Sequence, residues 1–364
     1  MGALDGIRVI DLSQYLPGPM LTLMMADKGA EVIKVEPPAG DPARAMAPVG
    51  ADGQSLWFTQ ANRGKTSVTL DLKRPEDAER LLAMADEADV FVEGFRPGVM
   101  KRLGFDAATL TARNPRLVYC SVSAFGQQGS LAGHPAHDLI VQALTGFLAV
   151  NDGGDGTPVV PGVPSADMAV ALTGLSAVLM ALFARERSGR GDVIDCAMTD
   201  ALLPWSAHLA GEALAGGPAP RSASQRSLGG AALYHVYRTA DGRHVALGGR
   251  EEKFARALLE GAGRLDLLPL AMAPAGEQGA LILFLETWFA TRTRDDWVAW
   301  FETRDVAFAP VLDFVEAFAS RHVGERALIG DCAGVSQFAP AIRLASQPDW
   351  SPRPAPCPAP RPIA

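Results

Sequence analysis

Ile7-Arg8-Val9-Ile10-Asp11, then Pro17-Gly18-Pro19 with Met20 to Lys28, then Gly29 and Ala30-Glu31-Val32-Ile33-Lys34-Val35 decide the fold class. Ile7, Val9 and Ile10 make a short apolar strand that Arg8 interrupts and Asp11 closes. Pro17-Gly18-Pro19 breaks it, Met20 to Lys28 supplies helix formers, and Gly29 stops the helix. The Val and Ile of residues 30–35 then give a second strand. Two strands joined by a short crossover helix predict a parallel, Rossmann-like α/β layer.

The alternation continues outward from that unit. Strands are predicted at residues 67–72, 90–93, 117–122 and 193–197, and helices at 75–87, 99–103, 138–150 and 168–187. The character changes near residue 200. Residues 215–230 are rich in Gly, Ala, Ser and Pro. The Asp241-Gly242 turn between Tyr234-His235-Val236-Tyr237-Arg238-Thr239 and His244-Val245-Ala246-Leu247 predicts a hairpin. Helices follow at 253–260, 279–291 and 295–302. The expected organisation is a Rossmann-like large domain over 1–200, to which 321–364 returns, a linker over 201–227, and a smaller α+β domain over 228–320. Seven prolines in residues 348–364 predict an exposed tail with no packed element.

Composition bounds the function. The chain has 364 residues, 48% of them hydrophobic and 20% charged, which is ample for a core. Glycine and proline together make up about 18%, short of low complexity. The net charge of −8 disfavours a nucleic-acid partner. Cys120, Cys196, Cys332 and Cys357 form no C-x-x-C pair and no zinc-type spacing, so no metal is expected and the thiols read as reduced. Residues 1–12 carry Asp5, Arg8 and Asp11 and do not resemble a signal peptide. Residues 168–184 lack charge but are rich in Ala, Gly, Ser and Thr. They read as a buried helix rather than a membrane span, and a cytoplasmic protein with no membrane partner is expected.

Familiar phosphate and nucleophile signatures are absent. There is no G-x-G-x-x-G after the first strand, no P-loop and no G-x-S-x-G elbow, so a nicotinamide oxidoreductase is not supported. Residues 14–19 offer backbone N–H groups at a helix start as an anion site. An ordinary helix start has the same residues.

Several segments in order carry more weight. Asp11-Leu12-Ser13 with Pro17-Gly18-Pro19, Ala26-Asp27-Lys28-Gly29-Ala30-Glu31-Val32-Ile33-Lys34-Val35-Glu36, Gly40-Asp41-Pro42-Ala43-Arg44 and Asn62-Arg63-Gly64-Lys65 are followed by Val92-Glu93-Gly94-Phe95-Arg96-Pro97-Gly98, Arg102-Leu103-Gly104-Phe105 and Arg187-Ser188-Gly189-Arg190-Gly191. Together they resemble the family III CoA transferases, a superfamily that also holds the alpha-methylacyl-CoA racemases. The resemblance covers residues 3–315 and implies an interlocked homodimer. The implied substrates are an acyl-CoA and a carboxylic acid, with coenzyme A as part of the substrate and no permanently bound cofactor.

The family's essential carboxylate matches Asp167, in Ser165-Ala166-Asp167 before the long apolar helix. A carboxylate at a helix N-terminus is expected to stay ionised, though an ordinary N-cap would look the same. In the transferases it is a nucleophile that becomes an aspartyl-CoA thioester. In the racemases it shares proton transfer at C2 with a His. His137 and Glu251 match the racemase His and its supporting Glu, while Leu139-Ile140-Val141-Gln142-Ala143 is transferase-like. Leu16 departs from the formyl-CoA transferases, which carry a Gln there. Transfer is the first reading and racemisation the alternative; a non-catalytic acyl-CoA binder is a third. For CoA, the resemblance points to Arg102, Gly94 and Phe95, then Lys34 and Arg44.

Overall fold

A computed structural model describes residues 2–50, 52–153, 155–347 and 349–357. They form two compact units, Met1–Thr145 with Val163–Pro204 and Arg321–Ala364, and Gly146–Gly162 with Trp205–Ser320.

The first unit is built on β1 (Arg8–Asp11), α1 (Pro17–Ala26), β2 (Glu31–Glu36), α2 (Leu56–Asn62), β3 (Thr66–Thr69), α3 (Pro75–Asp86), β4 (Val90–Glu93), α4 (Val99–Leu103), α5 (Ala107–Arg113), β5 (Val118–Ser123), α6 (Asp138–Leu144), α7 (Ser165–Ser188), β6 (Val193–Ala197) and α8 (Met198–Leu202). β1 to β6 form one sheet, all parallel, in the order β3-β2-β1-β4-β5-β6. This is the doubly wound Rossmann order, whose switch point lies between β1 and β4. Val9 pairs with Val32 on one side and Val90 on the other. Val9 and Ile10 are completely buried, as expected of a strand covered on both faces, and each such side chain is worth about 1.5–3 kcal/mol. Ile10, Phe91 and Tyr119 meet Leu81 and Leu110 in one core.

Among the described residues α7 is the one helix long and apolar enough to cross a membrane, and half of its most apolar stretch is buried. It packs on α1 through Gly174, where a Cβ would stand 2.6 Å from Leu21 Cδ1. Helix α6 ends at Leu144, short of the expected 150, because Gly146 turns left-handed at φ +85°. The chain then forms a short 3-10 turn at Leu148–Val150.

The second unit carries α9 (Ala207–Leu214), β7 (Tyr234–Arg238), β8 (His244–Gly248), α10 (Glu252–Gly261), α11 (Leu268–Met272), α12 (Gly279–Phe289), α13 (Arg294–Phe301), β9 (Phe308–Pro310) and α14 (Phe314–Phe318). Its sheet is β7-β8-β9, antiparallel, with Gly242 at φ +76° in the predicted hairpin turn. Tyr237, Phe289 and Trp297 form its centre, and Trp297 Nε1 donates to Phe289 O at 2.8 Å. Residues 201–227 are not plain linker. Ala207–Leu214 is helical because Ala, Leu and Glu favour helix there, and the Gly/Ala/Ser/Pro bias begins only at 215.

The returning segment adds α15 (Arg321–Glu325) and a hairpin of β10 (Ile329–Cys332) and β11 (Val335–Phe338) to the first unit. The expectation of an unpacked tail is corrected for residues 349–357. Ala355 is buried with Ala43 and Phe58, Gly64 N donates to Pro354 O at 2.9 Å, and Arg44 Nη1 donates to Pro356 O at 3.1 Å. Proline lacks a donor but keeps its carbonyl, so such a segment can still be fastened by side chains and turns. The remainder of the predicted tail lies outside the described residues.

Candidate active site

The carboxyl ends of β1 and β4 diverge at the switch point, where open α/β sheets take their ligands. The loop after β1 is braced from below. Asp11 Oδ2 accepts from Thr22 Oγ1 at 2.6 Å and from Lys65 Nζ at 3.1 Å. Lys65 Nζ also donates to Pro19 O, Thr22 Oγ1 and Asn62 Oδ1 at 2.8–2.9 Å. Burial works against charge on Asp11, but Lys65 and Lys34 with the Ser13 and Thr22 hydroxyls hold its carboxyl down at about 2. Asn62-Arg63-Gly64-Lys65 is thus a strut, and Arg63 Nη2 adds a 2.6 Å contact to Asp27.

Gly18 fits because a Cβ there would lie 2.2 Å from Ser13 Cβ. Of the two readings of residues 14–19, an anion site or an ordinary helix start, the structure favours the second. Helix α1 begins at Pro17 and has Pro19 in the same turn, so two of its first three residues have no N–H, and Met20 N is spent on Leu16 O.

Tyr15 sits in this loop at φ +63°, a conformation that costs a bulky residue energy and is commonest at functional sites. Its carbonyl accepts from Trp57 Nε1 at 3.4 Å. Its ring meets His137 edge-on, with centroids 5.9 Å apart.

Lys34 and Arg44 are corrected as CoA ligands. Lys34 is completely buried; its Nζ lies 2.8 Å from Asp41 Oδ2 and donates to Ser13 O at 2.8 Å. Arg44 grips Glu36 with Nε and Nη2, both at 2.7 Å, and stacks 3.7 Å above the Phe58 ring. Both cations are committed inside the fold. Arg102 is different: it is exposed on α4, folded toward Gly98, whose Cβ position is 3.6 Å from Arg102 Nη1. Gly94 is exposed beside Ser13, and Phe95 N donates to Glu93 Oε2 at 2.8 Å. Gly94, Phe95 and Arg102 therefore lie along one segment at the carboxyl end of β4.

Helices α6 and α7 bring a second group together. Asp138 Oδ1 accepts from Ala166 N at 2.7 Å and from Asp167 N at 3.2 Å. Asp138 Oδ2 accepts from Gln142 Nε2 at 2.6 Å, and the same Nε2 lies 3.3 Å from Val163 O. Asp138, not Asp167, is the acid that takes the helix N–H groups. The expectation that Asp167 stays firmly ionised is corrected accordingly. Burial, and then the neighbouring charge of Asp138, push its carboxyl up to about 7, as desolvation and a like charge should. Among the described residues no hydrogen bond is recorded to the Asp167 side-chain oxygens. A half-buried carboxylate that ionises near neutrality, with free lone pairs, suits nucleophilic or acid-base chemistry.

His137 is exposed at the N-cap of α6, and its imidazole makes no recorded hydrogen bond or ion pair among the described residues. Glu251 stands in the second unit, exposed at the N-cap of α10 without a side-chain cap bond. Sequence reasoning missed Asp138 as the cap and Gln142 as its partner. The four-residue spacing of the two on one helix was the available signal.

The chain matches CoA-transferase family III over residues 4–363. It is 36% identical to an acetyl-CoA:oxalate CoA-transferase of Acetobacter aceti, over 97% of this chain and 92% of that protein. It is 34% identical to the alpha-methylacyl-CoA racemase of Homo sapiens, over 97% and 86%. A crystal structure of a CAIB/BAIF family protein from Brucella suis superposes with a TM-score of 0.87 at 28% identity, covering 98% of this chain and 96% of that one.

Proposed function

We propose that this chain, which belongs to CoA-transferase family III, moves coenzyme A from an acyl-CoA thioester to a second carboxylic acid through Asp167. The observation that carries the reading is the Asp167 carboxylate, half-buried and unencumbered, with its ionisation raised to about 7. Such a group is basic enough to attack a thioester and is not tied up by a cation. The relative from Acetobacter aceti supports the same class of substrates.

An Asp167 oxygen attacks the thioester carbonyl, and collapse of the tetrahedral adduct expels CoA thiolate and leaves an acyl-aspartyl anhydride. The thiolate attacks the Asp167 carbonyl of that anhydride. This releases the first acid as its carboxylate and leaves an aspartyl-CoA thioester. The second carboxylate attacks that thioester and expels CoA thiolate, leaving a new mixed anhydride; the thiolate then attacks its acyl carbon, which delivers the new acyl-CoA and restores Asp167. Charge balances at each step, and no proton need move. Arg102, exposed on α4, is the cation assigned in this reading to a CoA phosphate, and Gly94 and Phe95 contribute to the same binding segment.

The exposed apolar stripe of Leu172, Leu179, Met180 and Phe183 on α7 supports a homodimer, since helical positions 7, 8 and 11 apart share one face.

Racemisation is the second reading, favoured by His137 and by 34% identity to the human racemase. His137 then removes the C2 proton and Asp167 returns one to the opposite face. One experiment separates the two. The protein is incubated with a chiral 2-methylacyl-CoA in deuterated water, with and without a free carboxylic acid. New thioester that forms only with the acid, and a hydroxylamine-sensitive adduct at Asp167, mean transfer. Deuterium at C2 without the acid means racemisation.

A further inference from the structure

Gln142 has a buried polar side chain, 3% exposed, that the steps above do not use. Its Nε2 donates to Asp138 Oδ2 at 2.6 Å and approaches Val163 O at 3.3 Å. The other oxygen of Asp138 receives the N–H groups of Ala166 and Asp167. The amide thus joins α6 to the residue that leads into α7, and fixes which way the Asp138 carboxylate faces. We propose that Gln142 is a positioning residue, one that holds Asp138 in the orientation engaging the start of α7 and thereby governs how strongly the Asp138 charge bears on Asp167. The proposal rests on the reading of Asp167 as the reactive group.

The negative charge of Asp138 bears on Asp167 and, with burial, works against its ionisation. A donor aimed at the Asp138 oxygens offsets part of that charge. Gln142 Nε2 is the side-chain donor recorded on Asp138. The other charged or titratable groups on elements packed here are engaged or distant in role. Asp200 on α8 accepts from Thr199 Oγ1 at 2.9 Å, and Asp195 on β6 accepts from Gln127 N at 2.9 Å. His137 abuts Tyr15. Asp138 is the charge that bears on Asp167. Without the amide proton, more of the Asp138 charge is felt at Asp167, which holds its proton to higher pH.

The test uses the full-length protein with 13Cγ-labelled aspartate, the Asp167 resonance being identified by its loss in Asp167→Asn. Gln142→Met keeps the side-chain volume and removes the donor. The Asp167 titration is expected to move up by about one pH unit, a tenfold change in proton affinity. Transfer, measured as kcat/KM, should fall about tenfold at pH 6.5, while staying within about twofold of the parent at pH 9 with KM for acyl-CoA unchanged. Gln142→Glu is the second variant; its own ionisation adds a third negative charge, so its shift should go the same way and further. A folded Gln142→Met whose Asp167 titrates as in the parent overturns the proposal, as does activity lost equally at every pH. Failure of both variants to fold assigns Gln142 to the fold alone and overturns it as well. If the parent moves no CoA but the NMR titration shifts as stated, the functional reading falls and the role of Gln142 stands.

Discussion

Asp138 Oδ1 takes the backbone N–H of Asp167 at 3.2 Å. One acid, from α6, therefore caps α7, while the half-buried acid in the first turn of α7 is left free to react. Capping and catalysis fall to different carboxylates, and substitutions separate them.

Asp167→Asn removes the nucleophile without removing the cap. CoA transfer should fall by several orders of magnitude while CoA binding persists. Stability should rise at alkaline pH. The folded state raises this carboxyl above its ordinary value, so the folded protein holds the extra proton and the parent loses stability as pH climbs from about 4 to about 7. The variant has no such loss and should be more stable at pH 8 by about 1–3 kcal/mol, with no advantage near pH 4. Denaturant melts at both pH values read this directly, and a variant less stable than the parent at pH 8 contradicts the geometry.

Asp138→Ala takes away the acceptor for two helix N–H groups and should cost about 0.5–2 kcal/mol. It also removes the like charge, so the acid limb of any residual transfer should move to lower pH. A limb that moves up instead would mean that Asp138 acts on Asp167 otherwise than as a neighbouring charge.

The two groups of cations named for CoA should behave oppositely. Arg102→Ala is expected to raise KM for acyl-CoA about tenfold with an unchanged melting temperature. Lys34→Met strands Asp41 in the interior and should cost about 3–5 kcal/mol, so its defect appears in a melt before it appears in KM. Calorimetry with free CoA tells the two apart.

Lys65→Met should be among the most damaging substitutions away from the reactive carboxylate, at about 3–5 kcal/mol, because Asp11 loses the first of the cations that keep it charged. The penalty should shrink in acid, where Asp11 takes up a proton. Gly18→Ala should loosen the same loop by overpacking against Ser13, costing about 1–3 kcal/mol. Either variant melting like the parent would show the brace to be dispensable.

The parallel sheet is legible in the sequence because Val9-Ile10, Val32-Ile33 and Val90-Phe91-Val92 are apolar runs punctuated by Gly and Pro, and local chemistry sets both. The active site is legible only in part. Asp167 is locatable from its neighbours, but its ionisation depends on its burial and then on Asp138, which lies 29 positions earlier. No periodicity links those two, since the chain leaves the first unit after Thr145 and rejoins it at Val163. Lys34 and Arg44 mislead for a related reason. A charged side chain reads as available until burial is known, and here each meets an acid, Asp41 or Glu36, within 2.8 Å. The proline-rich end misleads in the opposite sense, as composition records the missing donors and not the carbonyls that Gly64 and Arg44 use.

That fastening carries a consequence for how the molecule is made. Arg353 Nη2 bonds Ala26 O at 2.7 Å, Gln337 Nε2 bonds Arg353 O at 2.8 Å, and Pro354 and Pro356 tie down Gly64 and Arg44. The partners on the other side all belong to the first 65 residues apart from Gln337. On the ribosome, the first parallel strands emerge long before the stretch that clamps them, so until synthesis nears residue 356 the nascent large unit must persist with its earliest helix and its β2–β3 connection unlatched.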